Sequence, residues 1–191
     1  MFEKRLEKSL IEQAAPTLAG IKPASLFPYC ADSLEHAFNE IEEWDRRLSV
    51  SGIRIRTLCS CEERNRVLVY VYRNTALKEL FSDKETMDFL AGCGYDTGDQ
   101  SAESMIMQLT SRIGCVSGMP HEIGVFLGYP LEDVEGFIKN NGKNHSFCGY
   151  WKAYGDPEKA MRRYTQLRKC NAVYRKLYSS GRSVMELAVT A

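Results

Sequence analysis

Nowhere in the 191-residue chain is there a run of about 18 apolar residues, so no membrane-crossing helix is expected. No export signal is expected either. The opening MFEKRLEKSLIEQAAP mixes Glu with Lys and Arg where a leader needs unbroken apolar sequence. Internal repeats and low-complexity linkers are absent, and the expected organisation is one domain over 1–191. The seven cysteines are an odd number and scattered, which reads as reduced thiols in a cytoplasmic protein rather than a disulfide framework.

The familiar marks of chemistry are scarce as well. There is no G-x-S-x-G elbow, and Gly92, Gly94 and Gly98 do not match the spacing of a phosphate-cradling loop. Cys115 and Cys148 could meet a histidine only through the fold. His121-Glu122 begins like a zinc-peptidase motif, but the position of the second ligand is Val125. His145 with Cys148, and Cys59 with Cys61, lack a second pair at structural-zinc spacing. No metal site is expected, and no cofactor is indicated.

Net charge is zero, yet it is unevenly laid out. Asp83 to Glu135 holds ten acidic and two basic residues, whereas Lys139 to Arg182 holds eleven basic and two acidic ones. Either a charged partner is served or the two regions face one another.

A hydrophobic share of 44% with 26% charged residues suits a folded core. Phe2, Leu6, Leu10 and Ile11 predict an amphipathic helix over 2–14, which Pro16 should stop. Residues 17–27 read as irregular and extended. Ser33 caps a helix running to about residue 50. GIRIRTLCS alternates as a half-buried strand, and RVLVYVYR at 66–73 predicts its antiparallel partner across the polar CEERN connection. Helices follow over about 75–90 and 101–113, then a strand at 149–154, a long basic helix at about 157–178 docked on the rest, and a short last one. The class is α+β: a small, mostly antiparallel sheet packed with several helices, with a helix-rich C-terminal half.

PHEIGVFLGYPLEDVEGFIKNNG, residues 120–142, has the outline of two helices about a tight corner. Glu132, Asp133 and Glu135 open the second helix, where they suit the helix dipole and would repel DNA phosphates. His121 is either a packed residue at the helix entrance or a titrating group beside Glu122. These two are the weak catalytic candidates.

Lys22 in LAGIKPASLF and Lys152 in GYWKAY sit among apolar neighbours. Such lysines either snorkel to the surface or meet an anion, because a buried ammonium must be paired. With Arg73 they could supply positive charge, and Tyr150, Trp151 and Tyr154 a stacking surface, for a small anionic ligand with a flat group. The expected cleft lies between the Pro16–Leu26 segment, the sheet edge and the Pro120 entrance. Two other readings stay open. The basic helix, with Lys159, Arg162, Arg163, Arg168, Lys169, Arg175 and Lys176 opposite Met161, Tyr164, Leu167, Tyr174 and Tyr178, could bind nucleic acid. That helix or the acidic 83–135 region could instead dock another protein.

APTLAGIKPASLF at 15–27, RVLVYVYR at 66–73, the 120–142 stretch and GYWKAYGD at 149–156 occur in that order. In them the chain resembles an uncharacterised bacterial family titled domain of unknown function thirty-seven ninety-three, common in anaerobic gram-positive bacteria. The resemblance covers nearly the whole chain and implies a single-domain architecture, with no established reaction, cofactor or catalytic residue. Members often carry His-Cys just before the first motif, where this chain has Gln13-Ala14. Any metal or redox role of that pair is therefore not implied here. The motifs contain Lys22, Arg73, His121, Glu122 and Lys152.

Overall fold

The richest β-former in the chain becomes its central strand. In the computed structural model, which describes residues 5–113 and 118–190, Arg66–Arg73 (β3) lies between Ala24–Cys30 (β1) and Ile53–Cys61 (β2). Both neighbours run antiparallel to it. Val67, Val69 and Val71 enter one core, Tyr70 and Tyr72 the other, and all five are buried. Because both faces of β3 are covered, its sequence is nearly all apolar, whereas the alternation of Ile53 and Ile55 with Arg54 and Arg56 marks β2 as a sheet edge. A register shift between Thr57 and Cys59 then turns Leu58 toward the tyrosine side.

One helical layer packs on the valine face: Arg5–Leu18 (α1), Leu34–Leu48 (α2) with its Ser33 cap, and the later turns of Pro157–Ser179 (α8) with Val184–Leu187 (α9). The tyrosine face is covered by Asn74–Ser82 (α3), Lys84–Gly92 (α4), Ala102–Arg112 (α5), Ile123–Phe126 (α6) and Leu131–Lys139 (α7). The Tyr70 hydroxyl donates to the Phe126 carbonyl at 2.7 Å, tying the sheet to the corner. The class is α+β, with a small antiparallel sheet between helices.

Several expectations are corrected. Pro16 does not stop α1; it lies in the last turn and its carbonyl receives both Ile21 N–H and Lys22 N–H at 3.0 and 3.1 Å. Residues 24–27, read as irregular, begin β1. Pro28 obscured that strand, yet an edge tolerates proline because one side of its backbone is unpaired. The strand foreseen at 149–154 shrinks to Lys152–Ala153 (β5), paired with Phe147–Cys148 (β4). The first helix of the corner is a single turn that begins after Pro120. Met161, placed on the packed side of the long helix, is 55% exposed. Phe2 and Cys115 lie outside the described residues. No described ion pair joins the acidic and basic regions; α8 packs against α1 instead.

Candidate functional site

α1 ends in a turn that places Lys22. Ile21 N–H and Gly20 N–H return to the carbonyls of Pro16 and Thr17, and the Pro23 carbonyl accepts from Arg73 N–H at 2.9 Å. The loop is thus held from both sides. From it, Lys22 Nζ lies over the Tyr129 ring, 5.2 Å from the centroid. Tyr129 stacks on Trp151 with centroids 5.3 Å apart and planes at 21°. Trp151 is locked in turn, since Nε1 donates to Asp133 Oδ2 at 2.7 Å. The other oxygen of Asp133 accepts the N–H groups of Tyr154 at 2.7 Å and Gly155 at 3.0 Å. Buried Asp133 therefore fastens α7 to the β5 segment with three charge-assisted hydrogen bonds.

These residues bound a cavity of about 190 Å³, whose far wall is the start of α8 with Asp156, Lys159, Ala160, Arg163 and Leu167. Asp156 caps that helix, accepting from Glu158 N–H and Lys159 N–H. Arg163 donates to the Ile21 carbonyl and, at 2.7 Å, to Gln166 Oε1. Its guanidinium is thereby fixed next to Lys22. Among the described residues no carboxylate pairs with Lys22. Burial, and then the nearby Arg163 charge, bring the Lys22 ammonium down from 10.5 to about 8. Burial also raises the Tyr129 hydroxyl.

A second cavity, also about 190 Å³, shares Tyr129, Asp133 and Trp151 with the first and is otherwise lined by His121, Val134, Phe137 and Lys152 among others. It is largely apolar. His121 sets its ring edge-on to Phe137 at 5.0 Å. Lys152 Nζ donates to the Gly142 carbonyl at 2.8 Å, at the end of α7.

Of the residues singled out from sequence, Lys22 and Trp151 come together in the first cavity; Lys152 and His121 join Trp151 in the second. The two lysines are neighbours across the Tyr129–Trp151 stack and do not share one cleft. Arg73 lines neither. It is 3% exposed, and its side chain donates to the carbonyls of Thr17 and Leu18 at 2.7 Å each and of Val189 at 2.6 Å. Tyr150 is 45% exposed, packs its ring on Tyr164 and accepts from Asn171 Nδ2 at 2.9 Å. Tyr154 packs against Gly136, with its hydroxyl buried and unpartnered among the described residues. Glu122 does not cooperate with His121; it faces Arg112 at 3.7 Å and the Tyr95 hydroxyl at 3.4 Å.

Tyr129, Asp133, Lys159 and Arg163 were not singled out as site residues. Asp133 reads from sequence as a partner of its own helix dipole, and the two cations as part of the basic face offered to nucleic acid or another protein. Asp133 and Val134 are the buried residues of α7, whereas Glu132 and Glu135 beside them are exposed.

Among the described residues no helix is long and apolar enough to cross a membrane, and no group of three or more His, Cys, Asp or Glu is arranged to hold a metal ion. A family described as Protein of unknown function (DUF3793) matches residues 10–188, and the chain belongs to it. No curated protein and no solved structure matches the chain.

Proposed function

We propose that this member of the DUF3793 family binds a small anionic ligand in the Lys22–Trp151 cavity, with the charge of the ligand against Lys22, Lys159 and Arg163 and its flat part along the exposed edge of the Tyr129–Trp151 stack. The observation that carries this reading is the half-buried Lys22 ammonium, which has an aromatic face beneath it and, among the described residues, no carboxylate in ion-pair contact, although Glu132, Asp133 and Asp156 line the same cavity. A desolvated cation next to a second cation is costly, and an anion entering the cavity offsets that cost. A cavity of about 190 Å³ suits a compact ligand, smaller than a nucleotide.

The cavity wall contains an indole, so occupancy is readable by tryptophan fluorescence. Titration with inorganic phosphate, benzoate and phenylpyruvate should give saturable changes for at least one of them. Lys22→Met should weaken that binding at least about 10-fold, the loss expected for one charge-assisted contact, while far-UV circular dichroism stays unchanged. Equal binding by the variant ends the proposal, as does the absence of binding by all three probes.

A second reading has one observation in its favour. Lys159, Arg162, Arg168, Lys169, Arg175 and Lys176 are all exposed on α8, which suits a polyanion. Tyr174 is buried, and Tyr164 and Tyr178 half-buried, so the aromatics needed to stack bases are committed to packing. Retention of single-stranded RNA that falls steeply with salt is the result this reading requires.

A further inference from the structure

We propose that the Lys22 amine is a nucleophile that condenses with the carbonyl of a small oxo acid, whose carboxylate is held by Arg163 and Lys159. This rests on the anion-binding reading and takes it further by naming the substrate class and a covalent step.

The argument is one of placement. An amine becomes a carbonyl-capturing group when it is withdrawn from water, stands beside another cation and is free of a carboxylate that would hold its proton. Lys22 meets all three conditions among the described residues: it is half-buried, Arg163 is fixed next to it through the Ile21 carbonyl, and no ion pair engages it. Lys152 meets fewer, since its ammonium donates to Gly142, and Lys159 is exposed. With its ammonium at about 8, Lys22 holds about a tenth of its population as free amine at pH 7, several hundred times more than an ordinary lysine. The groups around it are Tyr129 from the corner, Glu132 and Asp133 from α7, and Asp156, Lys159 and Arg163 from α8.

In the step, the Nζ lone pair forms a bond to the carbonyl carbon while the C=O π pair moves to oxygen. One amine proton passes to that oxygen, giving a carbinolamine. Protonation of the hydroxyl then lets it leave as water while nitrogen forms the C=N bond. The sum is amine plus carbonyl plus one proton to iminium plus water, with no change of oxidation state. Glu132, whose carboxylate lies over Gly155, lines the same cavity, and the proton consumed comes from solvent. The iminium carries the same single charge as the ammonium it replaces. The Tyr129 face therefore serves both states.

The test is reductive trapping on the full chain. Protein is incubated with pyruvate or phenylpyruvate at pH 7.5, reduced with cyanoborohydride and mapped by mass spectrometry, with lactate as the carbonyl-free control. A single adduct on Lys22, formed at least about 10-fold faster than on the average exposed lysine and suppressed by inorganic phosphate, is the expected result. Lys22→Arg keeps the charge but has no nucleophilic amine and should lose the adduct; circular dichroism checks that it is folded. Adducts spread over surface lysines according to exposure overturn the proposal. If pyruvate and lactate bind equally and nothing is trapped, the anion reading survives and the covalent step falls. If neither binds nor traps, both fall.

Discussion

At the scale of single residues, Lys22 is a liability that shows up in the pH dependence of stability. Its folded value of about 8 lies below the ordinary 10.5, so between those values the unfolded chain binds more protons than the folded one. Stability from this group therefore rises with pH across that window, and below pH 8 the cost of the desolvated charge is present in full. Lys22→Met should stabilise the ligand-free protein at pH 7 by on the order of 2 kcal/mol, allowing for solvent that reaches the cavity. The gain should shrink toward zero near pH 10.5, as urea unfolding at the two values will show. A variant less stable at pH 7 means that the ammonium has a stabilising partner. Asp133 behaves in the opposite way. Asp133→Ala leaves the Trp151 indole N–H and two backbone N–H groups without acceptors, and should cost about 3 kcal/mol or more. Asp133→Asn, which keeps acceptor capacity on one oxygen, should cost less. Lys22 and Trp151 were legible because polar or bulky residues in an apolar stretch demand an account. Asp133 was not, because an acid at a helix start has a sufficient local explanation, and its actual partners at 151–155 are distant in sequence.

At the scale of elements, the corner between α6 and α7 reaches the Lys22 loop. Gly128 has φ +72°, and a Cβ built on it would lie 2.2 Å from Pro23 Cγ. Gly128→Ala therefore combines backbone strain with displacement of the residue after Lys22. Gly181 supplies the comparison, since its φ is +98° and an added Cβ meets nothing within 4 Å. Gly181→Ala should cost about 1–2 kcal/mol from the backbone alone. Gly128→Ala should cost roughly twice that and weaken phosphate or benzoate binding as well. Thermal unfolding of both variants, with the fluorescence titration repeated on each, separates the contributions. A Gly128 variant that loses no more stability than the Gly181 one means that the loop yields freely. Periodicity made α2, β2 and α5 readable, because each shows its buried face in its own spacing, whereas β3 was readable from its run of β-branched and aromatic residues. β1 escaped because Pro23 and Pro28 bracket most of it, and its pairing with β3 is a tertiary fact.

At the scale of the whole molecule, the residue that holds distant parts together is Arg73. It stands at the end of the central strand, yet its guanidinium donates to the carbonyls of Thr17 and Leu18 at the end of α1 and to that of Val189, 116 positions away. Val189 N–H closes the ring by donating to Leu18 at 3.0 Å, while the Tyr174 hydroxyl holds the Leu187 carbonyl at 2.9 Å. Sheet, first helix and C-terminal segment thus meet at one buried cation whose partners among the described residues are carbonyl dipoles. From sequence, Arg73 read as a ligand contact because a cation ending an apolar strand looks available, and nothing local reveals three carbonyls drawn from two remote segments. Arg73→Met removes the donors and leaves those carbonyls in a space that excludes water, so the loss should be about 3 kcal/mol or more. Its distribution is the sharper test. Val189 N–H should lose most of its protection against hydrogen exchange, together with the α9 amides, because the tail is held at few points, whereas the β3 amides paired on both sides should change only with global stability. Arg73→Lys, with one ammonium for three acceptors, should fall between. If Arg73→Met lowers protection equally in tail and sheet, the arginine supports the core as a whole rather than latching its end.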